Sequence, residues 1–219
     1  MTTKTSGHRP GSLRVRQKRE QVRLDILQAA QEILGEQGVD DLTLAAVAGR
    51  LGMTKQALYH YFPSKEALVN SLVTTLLDEE VEVLVAAVER AAAGDNILGT
   101  LIRAFYAHYI DRLDAFRTIY CQSQLYSAPG LPLDTGTLRD QINPRTRHLF
   151  DVLEDRIAGA SVSKVKRARA RQLAFTAWLS ALGLLTMLGV ADATRDPLVH
   201  ADTDLLETLS TVFGAATDR

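Results

Sequence analysis

The chain has 219 residues, 46% hydrophobic and 23% charged, with a formal net charge of −1. That is enough chain for a sizeable core in one or two domains, and the composition is that of an ordinary globular protein rather than a disordered polyelectrolyte. Cys121 is the only cysteine, which excludes an intrachain disulfide and fits a reducing, cytoplasmic setting.

The charge is unevenly spread. Residues 1–23 carry Lys4, Arg9, Arg14, Arg16, Lys18, Arg19 and Arg23 against Glu20 alone, so the rest of the chain is net acidic. A basic arm beside an acidic body is an electrostatic footprint suited to DNA, although a solubilising tail has the same composition. Residues 1–17, with Ser, Gly, Pro and Thr among the basic residues, are expected to be a flexible arm. No apolar run opens residues 1–20, so no secretory signal is expected. A first helix is predicted from about Lys18 to Gln37, with Val22, Ile26, Leu27, Ala30, Ile33 and Leu34 as its apolar stripe and Gly38 as its stop.

Residues 43–68, TLAAVAGRLGMTKQALYHYFPSKEAL, hold most of the functional information. Thr43 can cap a short helix containing Val47, Ala48 and Leu51. Gly52 stands where that helix must stop in the left-handed conformation. Thr54 can cap a second helix that turns Leu58 inward and Lys55, Gln56, Tyr59 and His60 outward. The small Ala48, the turn at Gly52 and the aliphatic Leu58 have helix-turn-helix spacing, and the outward residues are types that contact bases and phosphates.

The run GVDDLTLAAVAGRLGMTKQALYHYFPSKEAL resembles the DNA-binding segment of the tetracycline-repressor-like (TetR) family of bacterial regulators, over roughly residues 22–70. The resemblance implies an all-α protein of about nine helices. A helix-turn-helix DNA-binding domain (18–66) would be joined by a long helix to a ligand-binding and dimerisation domain (67–219). It implies that the second helix of the motif enters the major groove. Lys55 and Gln56 would read base edges, and Ala57 would meet a thymine methyl. Tyr59, His60 and Tyr61 would hold phosphates or pack, while Thr43, Thr54 and Lys65 would sit at helix starts near the backbone. Ala45 departs from the family pattern, where an arginine is common, so the first motif helix has little with which to read DNA.

Beyond the motif, Ser64 is placed to cap a long helix to about Ala93, broken by Gly94-Asp95-Asn96. Its acidic run Asp78, Glu79, Glu80 and Glu82 reads as a solvated face. Helices are predicted over about 97–113, 115–126, 137–159 (with a kink or restart at Asn143-Pro144), 161–191 and 204–216, with a loop at 128–136. Residues 173–191 are uncharged and follow the basic run KVKRARAR, which is transmembrane length. Thr176, Ser180, Thr186 and two glycines favour a helix buried in a core or subunit interface instead.

The resemblance implies a homodimer through about 163–191 and 204–216, with Ala177, Leu184, Leu188, Leu205, Leu209 and Val212 among its contacts. It also implies a small-molecule effector in the body. Phe105, Tyr106, Tyr109, Tyr120, Gln124, Tyr126, Phe150, Phe175 and Trp178 are the candidates to line its pocket, or ordinary core, and they suggest an apolar or aromatic ligand. His108 and His148 are read as core or surface histidines rather than metal ligands, and no cofactor is expected. The expected function is a homodimeric repressor on a palindromic operator of double-stranded DNA, released by the effector. The alternatives are a membrane-tethered or ligand-independent DNA binder and, with no nucleophile–base or metal spacing to support it, a helical enzyme.

Overall fold

The computed structural model describes residues 10–38, 40–121, 136, 138–161, 163–195 and 200–217. All regular structure among them is helical, and the chain forms two compact units, a head (Met1–Leu72) and a body (Val73–Arg219).

The head is built from α1 (Pro10–Gln37), α2 (Leu44–Arg50), α3 (Lys55–Tyr59) and the first eight residues of α4 (Lys65–Arg90). Helix α1 starts at Pro10, eight residues before the predicted start and inside the segment expected to be a flexible arm. Proline needs no hydrogen bond at a first helical position, and between Gly11 and Lys18 no glycine or proline interrupts the helix. Side chains 13–20 are all exposed, so local propensity rather than packing sustains this extension. Farther on, Ile26, Leu27, Ala30, Ile33 and Leu34 are buried with Leu42, Val47, Leu58, Phe62 and Leu68. Arg50 of α2 pairs with Glu36 of α1 at 2.6 Å and reaches Glu32 at 3.5 Å. Arg23 of α1 donates to the Ser71 hydroxyl and lies 5.8 Å from the centre of the Phe62 ring.

In the body, the rest of α4 is followed by α5 (Ile97–Tyr109), α6 (Leu113–Phe116) and a π-helical turn (Arg117–Cys121). A second π-helical turn (Leu138–Ile142) leads into α7 (Asn143–Ala158), then α8 (Lys164–Thr194) and α9 (Asp202–Thr217). The helix predicted over 115–126 is thus interrupted after Phe116, and its end lies outside the described residues. At Asn143-Pro144 the π-helical turn passes directly into α7, with Pro144 in its first turn, where proline is tolerated.

Helix α5 packs against α8 and α9, and α7 packs along α8. Asn96 joins two of these elements: its Oδ1 accepts from the Gly99 N–H at 2.8 Å, capping α5, and its Nδ2 donates to the Ser210 carbonyl of α9 at 2.7 Å. Glu154 of α7 accepts from Arg167 and Arg171 of α8 at 2.8 and 3.1 Å. Ala174, Ala177 and Ala181 are buried on the inner face of α8, where short side chains permit close approach. The same helix is not buried all round. Phe175, Leu179, Met187 and Val190 are 45–52% exposed on its other side.

Candidate nucleic-acid interface and body cavity

The head's motif is assembled by local hydrogen bonds. The Thr43 hydroxyl accepts from the Ala46 N–H at 3.0 Å and starts α2. Gly52, at φ +62°, takes the left-handed turn after α2, a conformation that a side chain would strain. The Met53 N–H returns to the Ala48 carbonyl at 2.9 Å. The Thr54 hydroxyl then accepts from the Ala57 N–H at 3.1 Å and starts α3. Each threonine oxygen is committed as a cap, while its O–H proton remains a donor suited to a phosphate oxygen. Ala48 and Leu58, both buried, close α2 against α3.

This anchoring turns the other face of α3 to water. Lys55, Gln56, Tyr59 and His60 are exposed, and Ala57, Tyr61 and Lys65 are half-buried. The Lys55 ammonium lies 6.0 Å from the centre of the Tyr59 ring, one turn along, which restricts where the amine can point. Tyr59 is 45% exposed and is not a core residue of the head. Ala45 is exposed as well and offers a methyl group only. Among the sequence-predicted residues, Lys55, Gln56 and Tyr59 are exposed on α3 itself, and His60 directly follows it.

The body holds a cavity of about 210 Å³ lined by Leu77, Glu80, Tyr120, Ile142, Thr146 and Trp178, among others. Of the nine predicted ligand residues, Tyr120 and Trp178 reach it. Phe105 and Tyr109 are fully buried behind them, with Phe105 edge-on to both at centroid distances of 6.0 and 6.5 Å. Phe150 is core, packed 5.5 Å from Phe175 and 6.0 Å from Trp178. Two of the predicted residues point elsewhere. Phe175 is 47% exposed on the outer face of α8, and Tyr106 turns away to donate to Asp202 of α9. Burial and that carboxylate push the Tyr106 phenol up to about 12. Gln124 and Tyr126 lie outside the described residues. His108 rests edge-on against the Tyr109 ring, where burial lowers its pKa, and His148 is exposed. No cluster of three or more His, Cys, Asp or Glu able to hold a metal occurs among the described residues.

The solvated-face reading of the acidic run holds for Asp78, Glu79 and Glu82 but fails for Glu80, which is 3% exposed. Its carboxylate accepts from the Tyr109 hydroxyl and, through its two oxygens, from the Tyr120 hydroxyl at 2.8 and 2.7 Å. Burial raises its pKa to about 7, against the opposing effect of the two phenol donors. The same burial, with Glu80 beside them, pushes both phenols upward. A signal in the sequence marked this residue: Glu80 continues the buried series Val73, Leu77, Leu84 and Val88 at helical spacing, whereas its acidic neighbours do not.

The sequence profile described as "Bacterial regulatory proteins, tetR family" matches residues 26–72, which end where the head unit ends. Over 54 residues the chain is 43% identical to the class A tetracycline repressor protein from transposon 1721 of Escherichia coli. Residues 26–72 thus carry the DNA-binding segment characteristic of tetR-family regulators. That alignment spans 25% of each protein. A second, to the HTH-type transcriptional regulator BetI of Rhizobium meliloti (strain 1021), is 31% identical over 81 residues, 37% of this chain and 40% of BetI. The matches therefore span well under half the length of these curated relatives. The fold extends further: the transcriptional regulator FadR from Bacillus subtilis, solved in complex with stearoyl-CoA, superposes with a TM-score of 0.64 over 88% of this chain and 97% of that one, at 17% identity. The sequence match thus lies in the head, and the likeness over the body is one of all-helical fold.

Proposed function

We propose that this protein is a homodimeric transcriptional repressor that binds a palindromic operator through its heads and releases it when a small effector occupies the body. The observation that carries the reading is the α2–α3 unit. Two threonine caps and a left-handed glycine fix a short helix whose exposed side presents Lys55 and Gln56 one residue apart. Lysine offers a donor to guanine acceptors, and glutamine a donor and an acceptor to adenine. The extension of α1 adds Arg14, Arg16, Lys18 and Arg19, exposed and suited to phosphates.

One head reads few base pairs, so useful affinity calls for two on a twofold axis. The outer stripe of α8 (Phe175, Leu179, Met187 and Val190) together with Val212 of α9, 60% exposed, is the apolar surface that a second copy would cover. Helix α8 is also the one described helix long and apolar enough to cross a membrane, by length and composition only. Its buried inner alanines favour the dimer, because a spanning helix would have to leave that packing.

Helix α4 belongs to both units, so it is the natural carrier of an effector signal. An effector shifts the equilibrium only by binding the DNA-incompetent arrangement better. The ligand held by FadR supports an effector role for the body of this fold without indicating the same ligand here. The test is binding to DNA flanking the protein's own gene, with and without extracted metabolites. A retarded, competitor-resistant complex that metabolites dissolve supports the proposal. Binding insensitive to every extract would leave a DNA binder without effector control.

A further inference from the structure

The body cavity contains a group that a purely apolar ligand would not use. Glu80 is 3% exposed and forms part of the cavity wall. A carboxylate that far from water is costly unless it is paired. Here its hydrogen-bond partners are the neutral phenols of Tyr109 and Tyr120, and among the described residues no Lys, Arg or His forms an ion pair with it. The undescribed body residues include no Lys, Arg or His other than the terminal Arg219. The described residues thus supply hydrogen bonds to the carboxylate without supplying a counter-charge.

The surrounding wall is suited to what is missing. Tyr120 and Trp178 both line the cavity, with ring centroids 5.8 Å apart and planes at 63°. Electron-rich rings of this kind attract a desolvated cation, tryptophan most strongly. Leu77 and Ile142 offer apolar surface for methyl or methylene groups. The volume, about 210 Å³, is below the roughly 300–1,000 Å³ of drug-sized sites and suits a compact head group.

We propose that the cavity binds a small organic cation, a quaternary or protonated alkylammonium group, with Glu80 as its counter-charge and Tyr120 and Trp178 as its aromatic walls. This rests on the reading of the cavity as the effector site and narrows that effector from apolar molecules in general to cationic ones. The phenol donors hold the carboxylate in place, so a cation enters a prepared site. An anion would be repelled by the ionised form of Glu80, and a neutral hydrocarbon would favour its protonated form, whereas a cation favours the carboxylate.

Trp178 is the only tryptophan in the chain, so its fluorescence reports the cavity directly. The full-length protein is titrated with tetramethylammonium chloride and, separately, with tert-butanol, a neutral molecule of similar size, at ionic strength matched with sodium chloride. The cation should change Trp178 emission saturably, with the alcohol weaker by about tenfold or more. Glu80→Gln should remove most of that preference while leaving the alcohol unaffected. If Glu80→Gln fails to fold, the two titrations of the unmodified protein decide. Equal affinity for the two probes, or no saturable response to the cation, overturns the cation assignment. Release of operator DNA by extracted metabolites is read separately, so an effector-responsive protein with a neutral ligand would be recognised as such.

Discussion

The head and the body are held together by different kinds of interaction. The head's motif is specified over short sequence distances: Thr43 to Ala46, Ala48 to Met53, Thr54 to Ala57, each contact closing within five residues. The body is specified over long ones, with Asn96 bonded to Ser210 and Glu80 to Tyr109 and Tyr120. A motif built from local contacts can keep its shape, and hence its function, while the rest of the chain diverges. A core built from distant contacts can vary its lining and so change its ligand. The likenesses follow this division, with the family profile matching residues 26–72 and fold likeness extending over most of the chain.

The largest effect that would sharpen the contrast lies in the body. Phe105 is fully buried with edge contacts to Tyr109, Phe116, Tyr120 and Trp178. Phe105→Ala should cost about 3–5 kcal/mol in urea denaturation. A loss below about 1 kcal/mol would mean that the aromatic cluster does not hold the body.

The next effect is the pH response of Glu80. Its folded pKa, about 7, stands above its ordinary 4.5, so the folded protein retains a proton that the unfolded chain releases. The associated stability is complete below the ordinary value and is lost as pH rises through about 7, a change of ~3 kcal/mol. Comparing unmodified protein with Glu80→Gln isolates it from other titrations. The difference in denaturation free energy should change between about pH 5 and about pH 8, with the unmodified protein losing ground at the higher pH. Parallel profiles would place Glu80 in a solvated setting.

Smaller effects belong to the head. Thr54→Ala should cost about 1 kcal/mol and weaken DNA binding by fraying α3. Loss of either base-reading side chain, Lys55→Ala or Gln56→Ala, should reduce discrimination between the operator and a mutated site by about 1–3 kcal/mol, with little change in stability. Arg50→Ala, which removes an exposed pair with Glu36, should have the smallest effect, at the edge of detection by thermal denaturation.

The same division governed what could be read from sequence. Thr43, Gly52, Thr54 and Ser64 announced their roles because a cap or a left-handed turn depends on a few adjacent residues. Glu80 was obscured by its neighbours: three exposed acids around it suggested a wet surface, and only its register with Val73, Leu77 and Leu84 pointed inward. The inner and outer sides of α8 were indistinguishable by composition, since both are apolar and only packing against α5, α7 and α9 separates them. Tyr106 and Trp178 looked alike as pocket residues, yet one faces Asp202 and the other the cavity, which no periodicity discloses.

Sequence-specific DNA recognition through α3 can be decided by footprinting the purified protein on DNA flanking its own gene at moderate salt. The expected footprint is a protected inverted repeat, with protection reduced by Lys55→Ala. Protection without sequence preference, or protection unchanged by substitution of both Lys55 and Gln56, would contradict it.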